Sequence, residues 1–540
     1  MGSSLFEQEV RKLPIPVCRA FLRNGQLTPL AFSLAGTLGS DPQVREAFAH
    51  LETTVLQSDG FIPAPERKLR VAALFSGGPA GGGHNALVGL KHMLGDHTLL
   101  GVRNGPGGLL AGDMFEILDV SGIANTGGFD FLGTDRTKIK RPEQLAKVRE
   151  VIVQHALDAI IIIGGDDSNT SAAILAEYLE ANNVACRVVT MPKTMDGDVQ
   201  TKSLLPCPFG YDTACRVYAE LVGNILQDTP SSRKYWHFIK LMGRTASQVL
   251  LEVALQTQPH VALVSEELQE RNVKLSAVVD SITDTVLDRA QRGMPYGVVL
   301  VPEGLLEFTP EFQALILEID ELFGKEQEHV LRMDLDTRRS YFAQHLEHRA
   351  LYASLPEYIQ GMLVEDRDAY GNLQVALIST ERLLAELVGK RVKERAPGVK
   401  FTPQTHSFGY EGRCGAPTAF DAMLAYNLGL TAACLVLSGK TGYMAAMTDF
   451  TTGGAPLGIP LKSLLTVEER EGEREYVIRK VLVDTKSPAF KYFAEHRAEW
   501  AKNDSFNSPG PRQLWGPAAN QLPKTVVLNQ GYSTSRFSVG

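Results

Sequence analysis

The chain has 540 residues, of which 44% are hydrophobic and 21% charged, and a net charge of −8. A length of this order predicts two or three domains at about 100 to 200 residues each. The mild acidity argues against a general nucleic-acid or membrane-surface role, while leaving room for a local basic pocket that takes an anion.

Residues 1–68 read as an extension, with Pro14, Pro16, a helical patch from Gln43 to Leu56 and a Pro63-Ala64-Pro65 linker. Glu7, Glu9 and Pro14 stand where a signal peptide would be apolar, and no apolar run approaches the roughly 18 residues of a membrane span. The six cysteines (Cys18, Cys186, Cys207, Cys215, Cys414, Cys434) contain no C-x-x-C pair, which argues against a zinc site or a disulfide framework. A cytoplasmic, reducing setting with no membrane partner is the expectation.

From Leu69 the pattern becomes strand, glycine loop, helix: Val71 to Phe75, then Ser76 to Asn85, then apolar positions at Leu90 and Met93. A short strand near Leu99 to Val102 leads to Asn104-Gly105-Pro106-Gly107-Gly108, and residues 125–138 read as an exposed loop carrying Arg136. Ile160 to Ile163 form a β-branched run ending in Gly164-Gly165, as a strand buried on both faces of a parallel sheet does. Asp166-Asp167-Ser168-Asn169 follow, then a helix with Ile174, Leu175, Tyr178 and Leu179 on one face. A strand from Arg187 to Thr190 ends in Met191-Pro192-Lys193-Thr194-Met195-Asp196-Gly197-Asp198. Two charged loops therefore leave the same carboxyl edge, where open α/β sheets bind ligands.

A long helix (Tyr211 to Leu226), a strand (Trp236 to Leu241) and Met242-Gly243-Arg244 open a second α/β unit. It continues with a helix from Ala246 to Leu255 and strands Val261 to Ser265, ending in Glu266-Glu267, and Val298 to Val301, ending in Pro302-Glu303-Gly304. Thr309 to Arg395 reads as a charged helical insertion. The α/β pattern resumes with Phe408 to Arg413 and an Ala-rich helix from Thr418 to Leu435, and the tail after Ser505 reads as loosely ordered surface.

Each motif has a plain structural reading beside a chemical one. Five glycines between Ser76 and Asn85 suit a phosphate cradle or a tight turn. They fit neither G-x-G-x-x-G nor a Walker loop, and Gly439-Lys440-Thr441 lacks the Walker loop's first glycine. Asp166 suits Mg²⁺ held together with substrate phosphates. Treated as strand neighbours, Asp166 and Asp167 point oppositely and do different jobs; the alternative is a helix cap. Lys193 and Asp196 suit a phosphoryl transfer, the acid taking a hydroxyl proton and the cation neutralising phosphoryl charge, or else a surface salt bridge. Arg244, Glu303 and Arg413 recur at loop edges, which suits an anionic sugar.

Taken jointly, SGGPAGGGHN, IIIGGDDSNT, MPKTMDGD, LMGRTAS, VPEG and GYEGRCGAPTAFD resemble the phosphofructokinase superfamily in motif and order, from about Leu69 to Thr441. The resemblance implies an α/β fold of two doubly wound lobes with the active site between them, plus the helical insertion. ATP-using members resemble GGDGS and P-G-T-I-D; here Asp167 replaces the glycine after the aspartate and Lys193 the glycine before Thr194, as in the pyrophosphate-dependent branch. The length resembles that of the long bacterial and plant-type clade.

That resemblance implies reversible phosphorylation of fructose 6-phosphate at its 1-hydroxyl by pyrophosphate with Mg²⁺. An ATP-dependent enzyme and a noncatalytic regulatory subunit are the alternatives. Carried over by position, Asp166 binds Mg²⁺, Gly77 touches pyrophosphate, Asp196 is the base, and Asp167 and Lys193 set the donor. Thr194, Met195, Met242, Gly243, Arg244, Glu303, Tyr410, Glu411, Gly412 and Arg413 surround the sugar phosphate. Lys234 and Tyr235 stand where this branch borrows contacts from a second subunit, so a homodimer or higher homo-oligomer is implied. Arg136 resembles a transition-state arginine of ATP-using members. Met195 departs from the usual isoleucine, and Gly81 from a common proline. The implied division is 69–230 for pyrophosphate and Mg²⁺, 231–308 for the sugar, 309–400 for the insertion, 401–505 for the return to the lobes and 506–540 for the tail.

Overall fold

A computed structural model describes residues 4–63, 67–201, 203–365, 378–470, 473–516, 519 and 521–533. The strands that build the two main sheets are β1 (Leu30–Thr37), β2 (Thr54–Phe61), β3 (Arg70–Ser76), β4 (Thr98–Val102), β5 (Met114–Glu116), β6 (Ala159–Gly164), β7 (Arg187–Pro192), β8 (Trp236–Leu241), β9 (Val261–Ala262), β10 (Gly297–Pro302), β11 (Pro403–Phe408), β12 (Tyr443–Thr448) and β13 (Ala455–Pro460). The large sheet runs β1-β2-β13-β12-β7-β6-β3-β4-β5, with Thr134–Asp135 added beside β3. Its centre, β12 to β4, is parallel. The small sheet runs β9-β10-β8-β11 and is parallel throughout.

Alternation along the central strands shows why both faces are covered. Val71, Ala73, Phe75, Ile161, Ile163, Val189 and Met191 enter one core, while Ala72, Leu74, Ile160, Ile162 and Val188 enter another on the opposite face. Such runs need helices on both sides, which is the doubly wound arrangement. The first of these cores also takes in Ile239, Leu241, Val298 and Leu300 of the small sheet, so one apolar interior lies between the two sheets. Trp236, Phe238, Val299 and Val301 point the other way, into a third core with the helices of the insertion.

The helices that matter for the site are α1 (Gly83–Leu94), α2 (Asp166–Ala181), α3 (Tyr211–Ser232), α4 (Gln248–Thr257) and α5 (Ala419–Leu437). From β3 the chain winds to β4 on one side, and then to β6 and β7 on the other. The winding reverses between β3 and β6, so the loops leaving these strands open a crevice at their carboxyl ends.

Several expectations are corrected. The helix expected from Gln43 to Leu56 spans only Pro42–Ala47, because Thr54 and Val55 are β-branched and go into β2. With β1, β2 makes residues of the extension an edge of the large sheet. The loop 125–138 is partly interior: Asn125, Phe129 and Leu132 are buried, and Phe129 stacks on Phe75 with ring centroids 4.0 Å apart. The strand expected from Val261 to Ser265 is only Val261–Ala262, since Ser265 begins a short helix.

The tail after Ser505 is docked. Val526, Val527 and Leu528 are buried, and the N–H groups of Lys524 and Thr525 donate to the buried Glu252 carboxylate at 2.8 and 2.7 Å. Among the described residues one helix, α5, is long and apolar enough to cross a membrane, contrary to the expectation that no apolar run comes near such a length; 89% of its apolar window is buried within the fold, as in a core helix. Ala64 and Pro65 of the expected linker, and residues 366–377 of the insertion, lie outside the described residues.

Candidate active site

The turn after β3 is shaped for close approach. Gly77 has φ +82°, a left-handed conformation that costs glycine little, and its N–H donates to the Asp135 carbonyl at 2.8 Å. A Cβ on Gly78 would lie 2.9 Å from Arg413 Nη1 and 3.6 Å from Arg136 Nη2, so two guanidinium groups from distant segments converge on this one peptide. The other glycines of the loop serve packing, with Gly81 against Thr213 and Gly83 against the Phe129 ring.

Lys193 follows the last residue of β7. Its N–H donates to the Gly164 carbonyl at 3.0 Å, and its Nζ donates to the Gly78 carbonyl at 2.6 Å. It is 5% exposed, which removes the surface salt-bridge reading. Burial, reinforced by the nearby Arg413 charge, lowers its pKa to about 8, against the opposing pull of Asp196, Asp166 and Asp198.

Asp166 and Asp167 are the first two residues of α2, after an N-cap at Gly165. They are therefore not strand neighbours, and the reason for separate roles changes: successive helical residues diverge by roughly 100°. Asp166 Oδ2 lies 3.3 Å from Lys480 Nζ, whereas Asp167 Oδ1 lies 3.3 Å from Lys138 Nζ on the more exposed side. The helix N-terminus favours both carboxylates.

Beyond Lys193 the loop is held by its own polar groups. Thr194 Oγ1 accepts from the Asp196 N–H at 3.0 Å and donates to Asp198 Oδ1 at 3.0 Å, and Thr245 Oγ1, from the segment after β8, donates to Asp198 Oδ2 at 3.2 Å. Asp198 thus ties the two sheets' loops together. Met195 points into the shared core. Asp196 Oδ1 is shielded from solvent with no hydrogen-bond partner. Burial raises the Asp196 pKa; Arg413 opposes this and Glu303 adds to it. Burial, then the Asp196 and Asp166 charges, push Asp198 up to about 6.

The small sheet presents three loops at its carboxyl edge. Glu303, after β10, accepts from the Gly243 N–H at 2.9 Å, and the Arg244 carbonyl packs against Gly304. The Met242 N–H donates to the Phe408 carbonyl at 3.0 Å, joining the segments that follow β8 and β11. After β11, Glu411 Oε2 accepts from the Gly409 N–H at 2.7 Å, the Tyr218 hydroxyl donates to the Gly409 carbonyl, and Gly412 lies against the Tyr218 ring. These contacts aim Arg413 at Gly78. Its Nε is buried without a partner, and Tyr410 beside it is 76% exposed.

Lys234 and Tyr235 stand apart. They precede β8, at the amino edge of the small sheet, about 20 Å along the strand from Met242. Lys234 Nζ lies 4.6 Å from the centre of the Tyr235 ring. One chain does not bring them to the other residues.

Thus Gly77, Lys193, Thr194, Asp196, Met242, Gly243, Arg244, Glu303 and 410–413, on the connections that follow strands, and Asp166 and Asp167, in the first turn of α2, lie around one crevice. Asp198, Lys138, Thr245 and Lys480 also belong to this neighbourhood and had no expected role. Asp198 closes the MPKTMDGD motif and was legible; Lys480, in EYVIRKVLV, carries no local signal.

Residues 70–436 match the phosphofructokinase family, and the chain belongs to it. The chain is 45% identical over 497 residues to the pyrophosphate–fructose 6-phosphate 1-phosphotransferase of Treponema pallidum, covering 88% of this chain and 86% of the relative. It is 41% identical over 478 residues to the protein of the same name from Entamoeba histolytica, covering 86% and 87%. Among solved structures, the pyrophosphate-dependent phosphofructokinase of Marinobacter aquaeolei superposes with a TM-score of 0.52 at 17% identity, covering 83% of this chain and 97% of that one. The Pichia pastoris phosphofructokinase in the T-state gives 0.52 at 18% identity; the match covers 74% of this chain and about a third (36%) of that longer one. Both structural likenesses concern the fold alone.

Proposed function

We propose that the chain transfers a phosphoryl group reversibly from pyrophosphate to the 1-hydroxyl of fructose 6-phosphate, giving fructose 1,6-bisphosphate and phosphate. The carrying observation is the pair Asp167 and Lys193. One sets a carboxylate next to Asp166 at the mouth of the crevice, and the other fills the space against the Gly78 carbonyl. A nucleotide's α-phosphate would meet like charge there, whereas pyrophosphate ends before it. The names of the relatives from Treponema pallidum and Entamoeba histolytica support the same donor.

In this reading Asp196 accepts the proton of the 1-hydroxyl as its oxygen bonds to phosphorus and the bridging P–O bond of pyrophosphate breaks, releasing phosphate. Lys193, Arg136 and Arg413 surround Gly78 and neutralise charge on the phosphoryl oxygens, so catalysis is positioning and electrostatics. Glu303, Arg244 and residues 410–413 hold the sugar phosphate.

The donor set at Asp166 fits an ion carried largely by substrate. Among the described residues no three His, Cys, Asp or Glu side chains form a cage, and Mg²⁺ commonly takes one or two carboxylates plus phosphate oxygens and water. Asp166 would hold it, and when bound it would supply positive charge against the negative charge of pyrophosphate.

The separation of Lys234 and Tyr235 from the crevice supports a homodimer in which they serve the neighbouring subunit's sugar site. The division into a donor lobe (69–230), a sugar lobe (231–308) and a helical insertion (309–400) belongs to this reading. So does a cytoplasmic setting, which the unpaired cysteines support.

Turnover of fructose 6-phosphate with pyrophosphate and with ATP, at matched Mg²⁺, tests the assignment. Pyrophosphate is expected to be the faster donor by orders of magnitude, and a faster reaction with ATP overturns it. A pH profile tests Lys193. Its ammonium is the useful form, so kcat/KM for pyrophosphate is expected to fall above about pH 8 in the free enzyme. Lys193→Arg, which keeps the charge, should remove that limb; a wild-type profile flat to pH 10 excludes the lowered pKa, and undiminished kcat/KM for pyrophosphate in Lys193→Met excludes the role.

A further inference from the structure

Residues 478–483 lie outside the stretch that matches the family, yet they cross the crevice. On the large-sheet side the Ile478 N–H donates to Thr170 Oγ1 of α2 at 2.9 Å, and the Val481 N–H donates to the Asp198 carbonyl at 2.8 Å. On the other side the Val483 N–H donates to the buried Glu266 carboxylate at 3.0 Å, and the same oxygen accepts from the Ser247 N–H at 2.9 Å, just before α4. The segment is therefore a strap fastened to both lobes. Lys480 is its residue at the crevice, with Nζ 3.3 Å from Asp166 Oδ2 and both side chains about a quarter exposed.

This placement creates a competition. The carboxylate that would hold a divalent cation already has a cation on it, and ammonium and metal ion repel one another if both stay. The two neighbouring backbone attachments prevent Lys480 from leaving the crevice, and its charge also reaches Asp198 and Glu307. The arriving donor brings several negative oxygens. Arg136, Arg413 and Lys193 gather around Gly78, and of the two lysines beside the start of α2, Lys138 pairs with Asp167 on the more exposed side while Lys480 is the one on Asp166, placed to meet the oxygens there.

We propose that Lys480 is a donor-phosphate ligand supplied by the strap: it holds the place of the divalent cation on Asp166 in the substrate-free enzyme and passes to a pyrophosphate oxygen when the metal–pyrophosphate complex binds. The exchange forms no covalent bond and moves no proton. It rests on the pyrophosphate reading above and adds a residue to that site.

The test uses the full chain as wild type, Lys480→Met and Lys480→Arg, with thermal melts to establish folding. Mn²⁺ binding to substrate-free protein, read by electron paramagnetic resonance, is expected to tighten about two- to fivefold in Lys480→Met, because the internal competitor is gone. In steady state the same variant should raise KM for pyrophosphate by about 10- to 100-fold, with KM for fructose 6-phosphate nearly unchanged. Lys480→Arg should restore most of both. Unchanged Mn²⁺ affinity in Lys480→Met overturns the place-holding role, and a KM effect on the sugar instead of the donor overturns the phosphate contact. If wild type does not use pyrophosphate, the functional reading itself fails, while the Mn²⁺ titration still judges the exchange at Asp166.

Discussion

Replacing Asp196 by serine is expected to lower kcat by about 10²- to 10⁴-fold, the usual contribution of a positioned general base. One oxygen of this carboxylate is shielded and unpartnered, Arg413 and Lys193 supply opposing charge, and Glu303 on the small-sheet side raises its proton affinity. Burial and like charge together make it a better proton acceptor than an ordinary surface aspartate. The same surroundings make the ionised group a strain on the fold. Its pKa is raised on folding, so it contributes stability below the unfolded value, near pH 4, that is lost as pH rises through the folded value. Asp196→Ser should therefore melt no lower than wild type at pH 7 to 8 while losing turnover. A variant with wild-type kcat removes Asp196 as the base, and one that is both inactive and much less stable points to a structural role.

The second large effect is on donor choice. Asp167→Gly together with Lys193→Gly should reduce kcat/KM for pyrophosphate by at least about 100-fold, since the buried cation on the Gly78 carbonyl is lost. Activity with ATP should rise above that of either single variant. In the proposed reading the two residues obstruct in different ways: Asp167 by charge at the crevice mouth, Lys193 by volume within it. Removing one leaves the other in place, so the gain should be more than additive. Undiminished pyrophosphate use in the double variant would rule out this pair as the determinant of donor choice.

The strand ends and turns that line the crevice were legible in the sequence, and the long-range geometry that joins them was not. Ile160 to Ile163, the glycine turn at Gly77 and the motif from Lys193 to Asp198 sit at strand ends, where periodicity and turn chemistry are readable. The helix start at Asp166 was missed because two aspartates at first-turn positions look like loop. The docked tail was read as loose because Val526, Val527 and Leu528 are too short a run to show a period. Lys480 depends on a strap whose partners, Thr170, Asp198 and Glu266, are hundreds of residues away in the chain. Arg413 and Arg136 likewise meet at Gly78 only after folding.

Ile161, Phe75, Ile239 and Leu300 belong to one continuous interior, although they come from two different sheets. Either half expressed alone would leave that surface open to water, and would be expected to aggregate rather than fold. Opening either sheet's side of this interior bares the other's apolar face, so the two sheets are expected to lose structure together, which coincident unfolding transitions from probes on each sheet would check.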